Sequence, residues 1–274
     1  MLAAAPCDGD SWVLDWRYLE PTVGQYIWQL VDAAIADSMA TGRPVFLRVL
    51  AGINSPAWVG SVAQTQAIPA STYSPAGVMP VPWDPGFLKA WEQFIAAFGA
   101  RYDGNPHIAL IETAGTGVYG ESYLPGGASL WTAAGYTEAG YMSAIEQIVQ
   151  SYLAAFPHTA VAVDASIGVV GAQSIMAPLV SWVEANYPTR VYLQQNGLSG
   201  GTTPGQQAVQ RAQLFGLQMV GPSTQSRTGS LCAAFDVALE DGAAYLEVYY
   251  SDVIDPANAA ALRYLEAGDP SAPC

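Results

Sequence analysis

A (β/α)8 barrel whose first strand is short or missing is the fold class predicted for this chain, and three observations predict it. Its 274 residues are close to the size of one such barrel. Short β-rich apolar runs alternate with amphipathic stretches at helical spacing, the rhythm of a parallel sheet wrapped by helices. No linker, low-complexity tract or longer repeat breaks that rhythm, so residues 1–274 read as one domain.

The elements follow in order. Ser11–Trp16 is the first apolar run. A helix is expected over about Ile27–Thr41, closed by Gly42 as a glycine C-cap. Pro44–Leu50 is a strand, followed by a loop rich in Pro, Ser, Gly and Ala up to Pro85. Phe87, Leu88, Trp91, Phe94, Ile95 and Phe98 recur at helical spacing. His107–Thr113 is the third strand, Thr137–Phe156 a helix, and Thr159–Asp164 the fourth strand. The spacing then predicts a helix near Ala172–Asn186, a strand over Arg190–Gln194, a helix over Gln206–Phe215 and a sixth strand over Gly216–Val220. Ser230–Glu240 reads as a helix, Ala244–Tyr250 as the seventh strand and Asn258–Ala267 as the last helix. A closed barrel of this type has eight strands. Either Met1–Pro6 is what remains of a first strand or the chain begins after it. An open seam leaves a sheet edge, so a terminal segment or a partner chain is expected to cover it.

Composition excludes several classes. With 51% hydrophobic and 12% charged residues, the chain is far from disordered. A net charge of −14 argues against nucleic acid and anionic membrane as partners. The single lysine, Lys89, beside eight arginines reads as coding bias or as tolerance of salt. No run of eighteen apolar residues offers a membrane span. Met1–Pro6 lacks the charged start and the length of a signal peptide. Cys7, Cys232 and Cys274 have no CxxC spacing, so no metal site is expected; one disulfide with a spare thiol and three separate thiols both remain open. His107 and His158 stand just before strands, at the end opposite the expected site. With no third histidine, a Ser-His-Asp triad or a histidine metal site lacks material, and no P-loop, GxSxG elbow or dinucleotide fingerprint occurs in a fitting context. No cofactor is expected.

Asp15-Trp-Arg-Tyr-Leu-Glu-Pro-Thr-Val-Gly-Gln-Tyr26 resembles the W-x-x-L-E-P-x-x-G-x-Y segment that follows the second strand in many clan A glycoside hydrolases, among them the family 42 β-galactosidases. Val45–Leu50 running into Gly52-Ile-Asn-Ser-Pro-Ala-Trp-Val59 resembles that family's third strand and P-x-W-[LV] turn. Phe87–Glu112, with Arg101-Tyr-Asp-Gly-Asn-Pro106 before Ile108-Ala-Leu-Ile-Glu112, is similar to its third helix and fourth strand. The resemblance covers roughly the first 120 residues and implies a barrel that hydrolyses glycosidic bonds. It also implies that Glu20 braces the loop after its strand. One departure stands out: the Asn-Glu pair that usually ends the fourth strand and carries the acid/base is replaced near Gly115-Thr-Gly117. The nearest later carboxylate is Glu121, in a G-x-x-G-E setting.

Acetal hydrolysis needs a carboxylic acid to protonate the leaving oxygen and a second carboxylate as nucleophile or base. Barrel enzymes draw such groups from the C-terminal ends of different strands. Glu247, in the apolar run Ala244-Tyr-Leu-Glu-Val-Tyr-Tyr250, is costly to bury unpaired. It is the candidate nucleophile or base, against the blander reading of a glutamate paired with an arginine inside the barrel. Glu121 is the candidate acid, its pKa to be raised by Tyr119, Tyr123 or Glu247; a solvated loop carboxylate is the plain alternative. Glu112, at a strand end, is the substitute acid. Asp164 is placed to orient an acid or bind a hydroxyl. Gln194 and Asn196, in Gln194-Gln-Asn-Gly197, offer amides for sugar hydroxyls, or loop and cap hydrogen bonds. Trp16, Trp58, Tyr119 and Tyr249 are candidate stacking surfaces, whereas Trp28, Trp91 and Trp182 fit core positions.

The expected function is therefore a secreted or extracellular glycosidase acting on an oligo- or polysaccharide, as monomer or dimer. Two alternatives stand beside it: a carbohydrate-binding barrel without catalysis, and a barrel lyase or metal-dependent hydrolase, the latter short of histidine and cysteine ligands.

Overall fold

The computed structural model describes residues 7–71, 75–117, 122–165, 169–170, 173–201, 204–268 and 274. Seven parallel strands form one curled sheet: β1 Asp10–Asp15, β2 Val45–Leu50, β3 Ile108–Thr113, β4 Ala160–Asp164, β5 Val191–Leu198, β6 Phe215–Met219 and β7 Leu246–Glu247. Each pairs only with its neighbours in chain order. The long helices between them are α1 Gln29–Thr41, α2 Pro85–Tyr102, α3 Glu138–Ala155, α4 Met176–Asn186, α5 Leu231–Asp241 and α6 Ala259–Ala267. This is a TIM-barrel-like α/β fold, as the alternation of apolar runs predicts.

Local signals explain the helix ends. Gly42 closes α1 in the left-handed region at φ 74°, where a side chain is strained. Asp84 caps α2 by accepting from the Gly86 and Phe87 amides, with Pro85 in the first turn. Thr137 caps α3 through the Gly140 amide.

Register decides what faces where. Leu47, Ile111 and Val161 stand abreast across β2, β3 and β4 and are buried with Phe87, Trp91 and Phe98 of α2. This apolar layer between sheet and helices is the core. The alternate residues, including Phe46, Arg48, Leu110 and Glu112, point the other way, into the barrel.

Three differences from the sequence expectation have physical causes. The long loop before α2 contains an antiparallel hairpin, Thr65–Ile68 with Gly77–Pro80, too short to show a period. The helix expected over Gln206–Phe215 is only Pro204–Val209, because Phe215 belongs to β6. The seventh strand is two residues rather than seven, and the chain turns into a short helix at Tyr250. It pairs with β6 on one side and, among the described residues, with no strand on the other, so little holds it extended. Of the two cysteine arrangements left open, the structure shows one disulfide with a spare thiol: Cys232 and Cys274 are bonded, with Cα atoms 5.7 Å apart, leaving Cys7 free.

The sheet does not close. Among the described residues no ladder joins β1 to β7, so the eighth strand of a full barrel has no counterpart, as expected for a missing first strand. The seam is flanked by the segment before β1 and by α6, with Cys7, Leu262 and Leu265 lining one cleft there. The terminal elements thus cover it in part.

Candidate functional site

The barrel interior holds a polar network, and the register builds it. Arg48 of β2 stands opposite Glu112 of β3, and Gln218 of β6 opposite Glu247 of β7. Arg48 donates through Nε to Glu112 Oε2 at 2.6 Å and through Nη2 to the same oxygen. Its Nη2 also reaches Glu247 Oε2 at 3.1 Å and Gln218 Oε1 at 3.4 Å. Gln194 Nε2 donates to Glu247 Oε2 at 2.7 Å and to Asn196 Oδ1 at 2.9 Å. Tyr245 donates its hydroxyl to Gln194 Oε1 at 2.6 Å, fixing which way that amide points. Across the seam, Ser11 Oγ donates to Glu247 Oε1 at 2.5 Å. The Glu247 carboxylate therefore meets three donors from three strands and is still 12% exposed.

Gly216 makes room for part of this. A Cβ there would lie 2.1 Å from the Tyr245 ring, so only glycine lets the tyrosine cross β6 and reach Gln194.

One guanidinium facing two carboxylates is neutral when one carboxylate keeps a proton. Burial assigns that proton to Glu112: fully enclosed, and with the charges of Glu247 and Asp164 nearby, its pKa is pushed up to about 8 even though Arg48 opposes the shift. Burial alone would lower the Arg48 pKa, but at the high pH where a guanidinium titrates both Glu112 and Glu247 are charged, and together they raise it further. Burial and the same two carboxylates raise Tyr245 well above a normal phenol.

The remaining predicted residues separate into groups. Glu121 and Tyr119 lie outside the described residues. Their flanks are held at the C-terminal end of β4: the Ser122 amide donates to Asp164 Oδ2 at 2.9 Å, and Tyr141 bonds both Thr116 Oγ1 and the Ser122 carbonyl at 2.9 Å. Asp164 is thus buried as the anchor of that loop. Trp16 is a correction. It has no exposed surface, packs on Trp91 and Phe94, and donates to Glu20 Oε2 at 2.8 Å, so it offers no face for stacking. Trp58 is half-buried edge-on to Trp16 and donates to the Glu20 carbonyl. Glu20 braces its loop, as expected, by accepting from Gly24 N at 2.7 Å. Tyr249 lines the seam cleft. Gln194 and Asn196 are network members inside the barrel. His158 pairs with Asp103 at 2.6 Å, near the N-terminal ends of the strands.

Sequence reasoning missed Arg48, Gln218 and Ser11. Arg48 carried a readable signal: a cation inside the apolar run Val45–Leu50 demands a buried carboxylate partner. Ser11 and Gln218 carried none. Among the described residues no cluster of His, Cys, Asp and Glu is arranged to hold a metal, and no helix is long and apolar enough to cross a membrane.

The curled parallel sheet has counterparts of the same fold among solved structures. The catalytic domain of β-amylase from Paenibacillus polymyxa superposes with a TM-score of 0.70 at 12% identity, over 96% of this chain and 91% of that one. Endo-glycoceramidase II from Rhodococcus sp. does so in its complex with a cellobiose-like imidazole (TM-score 0.58, 14% identity) and as a lactosyl-enzyme intermediate (0.57, 14%). In both cases 91% of this chain and 66% of that chain are covered. At these identities the likeness is one of fold. No protein-family model and no characterised protein sequence matches the chain.

Proposed function

We propose that this protein is a glycoside hydrolase that cleaves O-glycosidic bonds with two carboxylates, Glu247 serving as nucleophile or base. The observation that carries the reading is the Glu247 carboxylate itself. It is oriented by Arg48, Gln194 and Ser11, borders an open cleft, and sits in a barrel whose structural neighbours are glycosidases. Such a group meets the requirement for attack at an anomeric carbon, or on a water beside it.

The acid is assigned to Glu121, adjacent to the pinned Ser122. Glu112 is the weaker candidate: fully enclosed beneath Arg48, it balances charge and has no path to a leaving oxygen. The kinship suggested by the segment Asp15–Tyr26 is with family 42 and its clan. The Cys232–Cys274 disulfide supports an oxidising, extracellular setting.

The test is a panel of nitrophenyl glycosides and polysaccharides, run on the wild type and on Glu247→Gln. The variant keeps the shape and the amide can still accept from Arg48, so folding should be nearly unchanged while turnover disappears. Substantial residual turnover in a folded variant would remove Glu247 from the chemistry. Binding of sugars without turnover in the wild type would identify a carbohydrate-binding barrel instead.

A further inference from the structure

Glu247 can be reached from the side of the barrel. A cavity of about 650 Å³ borders the seam between β1 and β7 and runs inward to Leu110 and Ala160 of the middle strands, within the range of small-molecule sites, roughly 300–1,000 Å³. Its floor is Arg48, Gln218 and Glu247, and its walls include Phe46, Tyr192 and Tyr249. The inward-facing side of β1 confirms that the seam is open: Val13, which would be packed in a closed barrel, is 48% exposed.

The C-terminal mouth differs. Gly52 approaches Gly117 so closely that a Cβ would lie 1.9 Å from its carbonyl oxygen. The Ile53 amide donates to that oxygen at 3.3 Å, and Arg17 donates to the Ile53 carbonyl at 3.1 Å. Asp164, Gln194 and Gln195 at the strand ends are all buried. Among the described residues, the top of the barrel is bonded to itself while the side is open.

We infer that the strand gap is the substrate-binding cleft, and that it takes the end of a neutral oligosaccharide, which meets Glu247 laterally. Aromatic walls suit the apolar faces of a pyranose, and a floor of carboxylate, guanidinium and amide suits its hydroxyls, donating and accepting within one short span. Charge sets the class. Asp8, Asp10, Glu247 and Glu266 line the cleft against Arg48 as the only basic side chain among its lining residues. A uronate or sulfated sugar is therefore repelled. This inference rests on the glycosidase reading only for the identity of the reacting group.

Two independent blocks test it. Val13→Trp fills the cleft from an exposed position whose side chain makes none of the hydrogen bonds to Glu247. Labelling the free thiol Cys7, at the outer end of the cleft, with a bulky maleimide does so without altering the interior, with Cys7→Ser as the unlabelled control. Binding of a neutral oligosaccharide is followed by calorimetry, and hydrolysis by product release. Both blocks should weaken binding at least tenfold and lower kcat/KM by a similar factor, with the melting temperature unchanged, and a uronate-bearing oligosaccharide should bind the wild type at least tenfold more weakly. A wild type that hydrolyses and is indifferent to both blocks would overturn lateral access and leave the glycosidase reading standing. A wild type that binds without hydrolysing, and loses binding to both blocks, would keep the cleft and overturn catalysis. Equal affinity for uronates would overturn the charge argument, and no binding of neutral sugars would overturn the inference outright.

Discussion

Replacing Glu112 with glutamine tests the charge balance inside the barrel. A carboxyl that loses its proton near 8 in the fold but near 4.5 in the unfolded chain binds more protons folded than unfolded between those values. Its contribution to stability is therefore intact below about pH 4.5 and is lost as pH rises towards 8. Taken alone, that gap is worth at most about 5 kcal/mol, and we expect a measured loss of at least ~2 kcal/mol because Arg48 relaxes toward the new charge. Glutamine cannot titrate. Urea unfolding at intervals from pH 5 to 8.5 should show wild-type stability falling relative to Glu112→Gln across the range, with the two nearly equal at pH 5. If Glu112 were instead charged throughout, the substitution would strip a buried ion pair. It would then cost about 3–5 kcal/mol at every pH, with parallel curves. That outcome would refute the assignment of the proton.

Three further expectations are simpler to check. Glu121→Ala should lose most activity on substrates with poor leaving groups and little on activated aryl glycosides, which hardly need protonation; equal losses in kcat/KM on both would indicate binding instead. Gly216→Ala should destabilise the fold by about 1–3 kcal/mol, typical of overpacking, because its methyl meets the Tyr245 ring, and Tyr245→Ala in the same chain should recover part of that loss in a double-mutant cycle. Cys232→Ser opens a loop with a sequence separation of 42 and should cost up to about 4 kcal/mol by chain entropy, read as a lower denaturation midpoint.

The sheet was legible in the sequence where strands are buried on both faces. Val45–Leu50, Ile108–Thr113 and Ala160–Asp164 are apolar runs that flanking helices make unambiguous, and each lies within a residue or two of its expected place. The last strand was not, because Ala244–Tyr250 looks like a full strand and its length depends on a neighbour that the sheet does not supply. Glu247 was visible as a carboxylate expensive to bury, and Glu112 as a carboxylate at a strand end. That a single arginine, Arg48, would join them depends on register between strands distant in sequence, which local pattern does not carry. Trp16 was misread for a related reason: a strand-end aromatic can turn outward to a ligand or back against a helix, and the facing residues that decide, Trp91 and Phe94, arrive 75 or more positions later.

The arrangement at the seam also brings the start of the described chain close to the end of α6. Cys7 and Glu266 border one cleft, close enough for the Glu266 charge to act on the Cys7 thiol. Neighbouring ends are what circular permutation requires. A short glycine-serine bridge across them, with a new break at the exposed turn of Gly135, would keep every strand pairing intact while converting the fixed margin of the opening into a tether. Its length would then become an adjustable variable, so the width of the gap could be set by the number of residues inserted.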